Sequence, residues 1–131
     1  MMTDVHTALQ AFWSGVSAGV PAFVRGHVPV GTEFPYITYE VVNGDAMTAT
    51  VSSAICYVNG ANTGYATANA TRAEIMDDIA DAIPVSGVKV PLTNGYLIIR
   101  RNSSWQSHYD DPNDPDVIGG RTAYEIEFKT I

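Results

Sequence analysis

Hydrophobic positions along the chain fall into two helical stripes and several shorter β-rich runs. Val5, Ala8, Leu9, Phe12, Trp13 and Val16 recur at i, i+3, i+4 and i+7, the spacing that puts them on one face of a helix. They predict a helix over residues 3 to about 18, capped by Thr3 or Asp4, weakened and ended by Gly15 and Gly19, and barred from continuing by Pro21. Ile75, Met76, Ile79, Ala80 and Ile83 form a second stripe, with Asp77, Asp78 and Asp81 turned to water and Pro84 as the stop. Thr71-Arg72-Ala73-Glu74 matches a capping box and offers a late start. A longer helix, from about 63 to 83, is preferred because Tyr65, Ala68 and Arg72 extend the same face.

Between and after these stripes the period shortens to two. Ala22-Phe23-Val24 reads as a short strand, followed by a loop that runs to Glu33. Residues 35 to 42 form the next, because Pro35 suits a strand's first position and its followers are β-branched or aromatic. Alternation sends Ile37, Tyr39 and Val41 to the core and leaves Tyr36, Thr38 and Glu40 free for a neighbour. Asn43-Gly44-Asp45 then turns the chain into a long strand, 46 to 58, whose Thr- and Ser-rich first half suits an exposed or subunit-covered surface. Asn59-Gly60-Ala61-Asn62 closes it. Thr93-Asn94-Gly95 between Val88-Lys89-Val90 and Tyr96-Leu97-Ile98-Ile99-Arg100 signals a hairpin. Residues 102 to 118 lack periodicity and read as a loop, and a last strand from about 120 to 130 sets Tyr124, Ile126 and Phe128 against Glu125, Glu127 and Lys129. The pattern predicts one domain over 1–131 of the α+β class, a mostly antiparallel sheet of about five to six strands with two helices packed on one face.

Composition narrows the chemistry. At 131 residues the chain is long enough to bury a core without staples. Fourteen acidic against seven basic residues give a net charge of −7, and Arg100-Arg101 is the longest basic run. Tight binding to a phosphate backbone needs clustered Lys and Arg, so it is not expected here. Low charge beside seven Tyr, four Phe and two Trp fits either an aromatic-rich core or a surface covered by neighbours. The single Cys56, in the apolar run Ala54-Ile55-Cys56-Tyr57-Val58, excludes an intrachain disulfide and reads as a buried inert thiol. No signal-peptide pattern opens the chain and no run is long enough to span a membrane, so assembly in a cytosol is expected.

Catalytic signatures are missing. His6, His27 and His108 have no second ligand at helical spacing, no Gly-x-Ser-x-Gly elbow occurs, and no Gly-rich phosphate cradle is found. Asp110-Asp111-Pro112-Asn113-Asp114-Pro115-Asp116 offers oxygen ligands of the kind Ca²⁺ takes, but without the Gly and distal Glu of an EF-hand it reads first as a solvated loop. Trp105 and Tyr109, with Arg100 and Arg101 nearby, are residue types enriched at interface hot spots. Either they meet another subunit or they pack back on their own domain.

The N-terminal amphipathic helix, Phe34-Pro35-Tyr36-Ile37-Thr38-Tyr39, the Thr/Ser-rich strand, the helix Arg72-Ala73-Glu74-Ile75-Met76-Asp77-Asp78-Ile79 and the closing Tyr124-Glu125-Ile126-Glu127-Phe128 occur in that order. In this the chain resembles the tail-terminator and minor tail (tail-completion, head-tail joining) proteins of long-tailed phages. The resemblance implies a virion subunit, assembled in the bacterial cytoplasm, that forms a homo-oligomeric ring, usually a hexamer. Such a ring caps the tail tube at the head-tail junction, contacts tail-tube and head-connector (neck) proteins, and lets DNA pass without specific binding. It also implies no catalysis, no cofactor, no metal and no membrane. Interface residues would include Tyr36, Thr38, Glu40, Arg100, Arg101, Trp105 and Tyr109. Another neck or tail-tube-like protein is an alternative within the same class. A small cytosolic ligand-binding or hydrolytic domain, with a pocket around His27 or His108, is an alternative outside it.

Overall fold

The first apolar stripe finds its partner in a sheet that curls around it. The structure, a computed structural model, describes residues 2–40, 50–60, 64–93, 95–110 and 112–130. Helix α1 (Met2–Ser14) is followed by β1 (Ala22–Val24), β2 (Tyr36–Tyr39) and β3 (Thr50–Asn59). Helix α2 (Tyr65–Ala82) is followed by β4 (Val88–Leu92), β5 (Gly95–Asp110) and β6 (Val117–Thr130). Six strands make one sheet in the order β1-β2-β3-β6-β5-β4. Among the described strands only β1 and β2 run parallel; the other neighbours are antiparallel. This is the α+β architecture the pattern predicts.

Helix α1 touches both edge strands, β1 and β4, while α2 lies over the central pair β3 and β6. Alternation then sorts each strand into a helix-side face and an opposite face. Ile37 and Tyr39, Ala54, Cys56 and Val58, Leu97 and Ile99, Ile118, Tyr124 and Phe128 fill the helix side, meeting Leu9, Trp13, Ile75, Ile79 and Ile83. Trp13 is wholly buried, with its ring 5.2 Å from that of Tyr124 and 6.4 Å from that of Tyr39.

Several sequence expectations need correction. Helix α1 stops at Ser14 rather than near 18, because the chain turns through Gly15 and the left-handed Gly19 to bury Ser17. The Ser17 hydroxyl donates to Asp78 Oδ2 at 2.7 Å, so Asp78 ties the end of α1 to α2 instead of simply facing water. Helix α2 takes the long form, with Gly64 as its N-cap, and the capping-box start at Thr71 is not used. The largest difference lies in residues 102–110, expected as a loop: they belong to β5, which pairs with β6 along nearly its whole length. The register shifts between Arg101 and Gln106, so four residues bulge from the ladder and the period-two signal breaks there. Strand β6 likewise begins at Val117, earlier than expected. Val41 and Val42, the turn at Asn43-Gly44-Asp45, the start of the long strand at 46–49, Ala61 and Asn62, Asn94 and Asp111 lie outside the described residues.

Candidate functional site

Both helices cover one face of the sheet, and the other face carries an aromatic row. Tyr36 of β2 stands opposite Tyr57 of β3, Tyr57 opposite Gly119 of β6, and Gly119 opposite Tyr109 of β5. Four strands thus place three tyrosines and one glycine along a line perpendicular to the chain direction. Gly119 is what lets the line close. A Cβ there would sit 3.1 Å from Tyr109 Cδ2 and 2.6 Å from the Cys56 carbonyl oxygen. With only hydrogen at that position, Tyr109 leans across and its ring meets Tyr57 edge-on at 5.7 Å. Tyr57 and Tyr36 tilt together at 5.2 Å, and Phe34 joins Tyr36 at 5.1 Å. Phe23 of β1 approaches Tyr36 at 6.3 Å. The Phe23, Tyr36, Tyr57 and Tyr109 side chains are half-buried, and Phe34 is left exposed at the end.

Burial pushes the Tyr57 phenol above its ordinary range, an effect that hydrogen bonding to Thr38 partly offsets. The Tyr57 phenol therefore stays neutral at physiological pH. Charge gathers toward the opposite end of the same face. Arg100 meets Glu127 at 2.7 Å, Lys129 pairs with the same carboxylate, and Lys89 lies 4.6 Å above the Tyr96 ring. Lys129 and then Arg100 hold the Glu127 carboxyl below its usual value. Arg25 and Glu40 form a further pair near β1 and β2.

The seven residues proposed from sequence separate into three groups. Tyr36 and Tyr109 are brought together by the row, with Tyr57 between them. Glu40 and Arg100 sit in the ion pairs just described. Thr38, Arg101 and Trp105 are engaged within the subunit. Thr38 is only 5 % exposed and so is not free for a neighbour in the folded subunit. Arg101 Nε donates to the Ile83 carbonyl at 2.8 Å and its Nη2 to the Ala80 carbonyl at 3.0 Å, closing the C-terminal turn of α2. Trp105 stacks 4.5 Å from that guanidinium and packs against the core. Of the two readings open for Trp105 and Tyr109, Trp105 takes the intramolecular one. Phe23, Phe34 and Tyr57 are the members that sequence reasoning left out. Tyr57 is flanked by apolar residues on both sides, and only the register shows which face it joins.

No described residue group offers a reactive constellation. His6, His27 and His108 are each exposed. His108 borders two shallow cavities with Arg72, of about 310 and 610 Å³, between α2 and the β5–β6 end of the sheet. Among the described residues no three His, Cys, Asp or Glu gather as a metal site. In the acidic turn, Asp114 uses Oδ1 to accept the Asp116 N–H at 3.0 Å, and the Asp116 carbonyl accepts Gly60 N–H. Cys56 is buried, its thiol is pushed up to about 11 by burial, and its sulfur lies 3.7 Å from Met76 Sδ. Such a thiol is a poor nucleophile. Neither helix is long and apolar enough to cross a membrane. In comparison with known proteins, no family model and no curated protein matches this chain.

Proposed function

We propose that this chain is a ring-forming structural subunit of a long-tailed phage, a tail terminator or tail-completion protein that caps the tail tube at the head-tail junction. The observation that carries the reading is the aromatic row on the helix-free face. Tyr36, Tyr57 and Tyr109 are half-buried and in ring contact, with neither described helix above them, and aromatic residues are enriched at the cores of protein interfaces. The row joins the sequence resemblance, which runs through the same β2 strand. In the ring, neighbouring copies meet through two different patches, the heterologous arrangement that closes a cycle. Tail-tube and head-connector proteins are the partners above and below. The net charge of −7 suits a lumen through which DNA slides without adhering. The subunit works in the virion, after assembly in the host cytoplasm, through surfaces alone.

The test is assembly. The purified chain, alone and mixed with tail tubes, is expected to give a ring-sized species by native mass spectrometry and density at tube tips by electron microscopy. Tyr36→Ala and Tyr57→Ala are expected to keep the monomer's far-UV spectrum and lose the ring. A chain that stays monomeric at every concentration and ignores tube tips rules the reading out.

A further inference from the structure

The sheet has one edge with which no described strand pairs. Strand β1 is three residues long, and β4 carries Lys89 and Pro91, so both outermost strands are poor templates for pairing. Strand β4, however, covers β5 only from Gly95 to Ile99. Beyond Ile99, β5 runs on to Asp110, paired with β6 on one side, and no other described strand pairs with its outer side. After the bulge this free edge reads Gln106-Ser107-His108-Tyr109-Asp110, with no proline and no lysine.

We propose that this edge pairs antiparallel with the same edge of a second copy, about a two-fold axis through Tyr109. Side-chain complementarity selects the occupant and the register. Centred on Tyr109, each His108 stands directly opposite the partner subunit's Asp110, where an imidazole N–H can donate to the carboxylate, and complementary cross-strand pairs stabilise a ladder. His108 and Asp110 are both exposed in the single subunit and both point to the helix side, the shared face that such pairing requires. Tyr109 meets its own counterpart on the other face, so the line Tyr36–Tyr57–Gly119–Tyr109 continues without a step into the second sheet. A slip of one residue would centre the contact on His108. It would set the two imidazoles against each other and place Asp110 opposite Gln106, whose amide already donates to the Met76 carbonyl at 2.9 Å. The result is one twelve-stranded sheet, twice the six of the subunit, with an uninterrupted tyrosine line. The contact is isologous and closes on itself, so it leaves the heterologous sides of a ring subunit unused. It goes beyond the ring reading and does not depend on it.

A contact this small is expected to be weak, with a dissociation constant on the order of 100 µM. Sedimentation velocity of the full chain from about 10 µM to about 1 mM spans that range. The wild-type chain is expected to shift from monomer to dimer. His108→Asp, which opposes two pairs of carboxylates, and Asp110→His, which removes both carboxylate acceptors, are expected to weaken association roughly tenfold or more. The two changes combined restore imidazole–carboxylate pairs and are expected to recover it, with far-UV spectra unchanged throughout. Absence of a dimer over the whole range, single changes without effect, or a double change that fails to rescue overturns the pairing. A ring-sized particle indifferent to all three variants overturns it too, while leaving the ring reading intact. A dimer that follows the His108 and Asp110 exchanges, in a chain that ignores tail tubes, upholds the pairing and removes the ring.

Discussion

Replacing Arg101 with alanine is expected to destabilise the single subunit by about 2–3 kcal/mol. The last carbonyls of a helix have no partner within it and carry the negative end of its dipole. Arg101 supplies two of those partners in α2, at 2.8 Å to Ile83 and 3.0 Å to Ala80. Hydrogen bonds from a charged donor contribute about 1.5–3 kcal/mol each, and the half-buried setting argues for the lower value. Stacking on Trp105 at 4.5 Å adds about 0.5–1 kcal/mol. Ordering the long side chain takes back up to about 2 kcal/mol. Lysine can reach one carbonyl but not both with a fixed fork, so Arg101→Lys is expected to recover about half of the loss. Urea unfolding followed by tryptophan fluorescence reads the effect directly. The alanine variant is expected to unfold about 1–2 M earlier with an unchanged slope. A wild-type midpoint for Arg101→Ala would refute the capping role. If assembly were lost at the same time, Arg101 would belong to a subunit contact, as the sequence alone had suggested.

Three further outcomes are expected. Trp105→Ala lowers the same urea midpoint, whereas Tyr109→Ala costs less stability and more assembly; equal effects on both measurements would dissolve the distinction. Gly119→Ala drives a Cβ to 2.6 Å from a backbone carbonyl and is expected to cost about 1–3 kcal/mol in urea unfolding, while Gly120→Ala meets only the flexible Met76 side chain and costs less; the reverse order would contradict the packing described. Burial raises Cys56 to about 11 and Tyr124 to about 12, from 9.0 and 10.0. The folded chain therefore keeps protons that the unfolded chain has shed, and stability is full below about pH 9 and declines as pH climbs through 11 and 12. The Cys56 part is about 2–3 kcal/mol, and urea midpoints for Cys56→Ala should lack the portion of the fall between pH 9 and 11. A midpoint for the unaltered chain that stays level to pH 11 would exclude it.

Helix positions and most strands were legible because their burial is periodic and local. Leu9 and Trp13, or Ile75, Ile79 and Ile83, mark a buried face whatever lies across from them. The second half of β5 was not legible, for two physical reasons. The four-residue bulge resets the alternation, and the residues after it are polar on both sides because this stretch lies at a sheet edge. Gln106 and Arg101 find their partners in α2 carbonyls, which residue type does not announce. The candidate site was half legible. Tyr36 and Tyr109 stood out as aromatics, but their union through Tyr57 depends on Gly119 and on a register spanning four strands. The burial of Thr38 was not legible because alternation gives the face of a residue and not whether that face is covered.

The strand order has a consequence for synthesis on the ribosome. Each half of the chain contributes a helix and three strands, yet the halves meet through β3 and β6, so the sheet's centre is its latest strand. Tyr124, Phe128 and Thr122 are buried positions on that strand. Until they emerge, β3 lacks a neighbour on one side and Trp13 lacks the Tyr124 ring it packs against. The nascent chain must carry α1 through β5 without a sealed core, and a premature stop before residue 117 would leave two half-sheets with open inner edges. Such fragments are candidates for chaperone capture and proteolysis rather than for poisoning an assembly, because the surface-forming rows and the core are completed by the same strand.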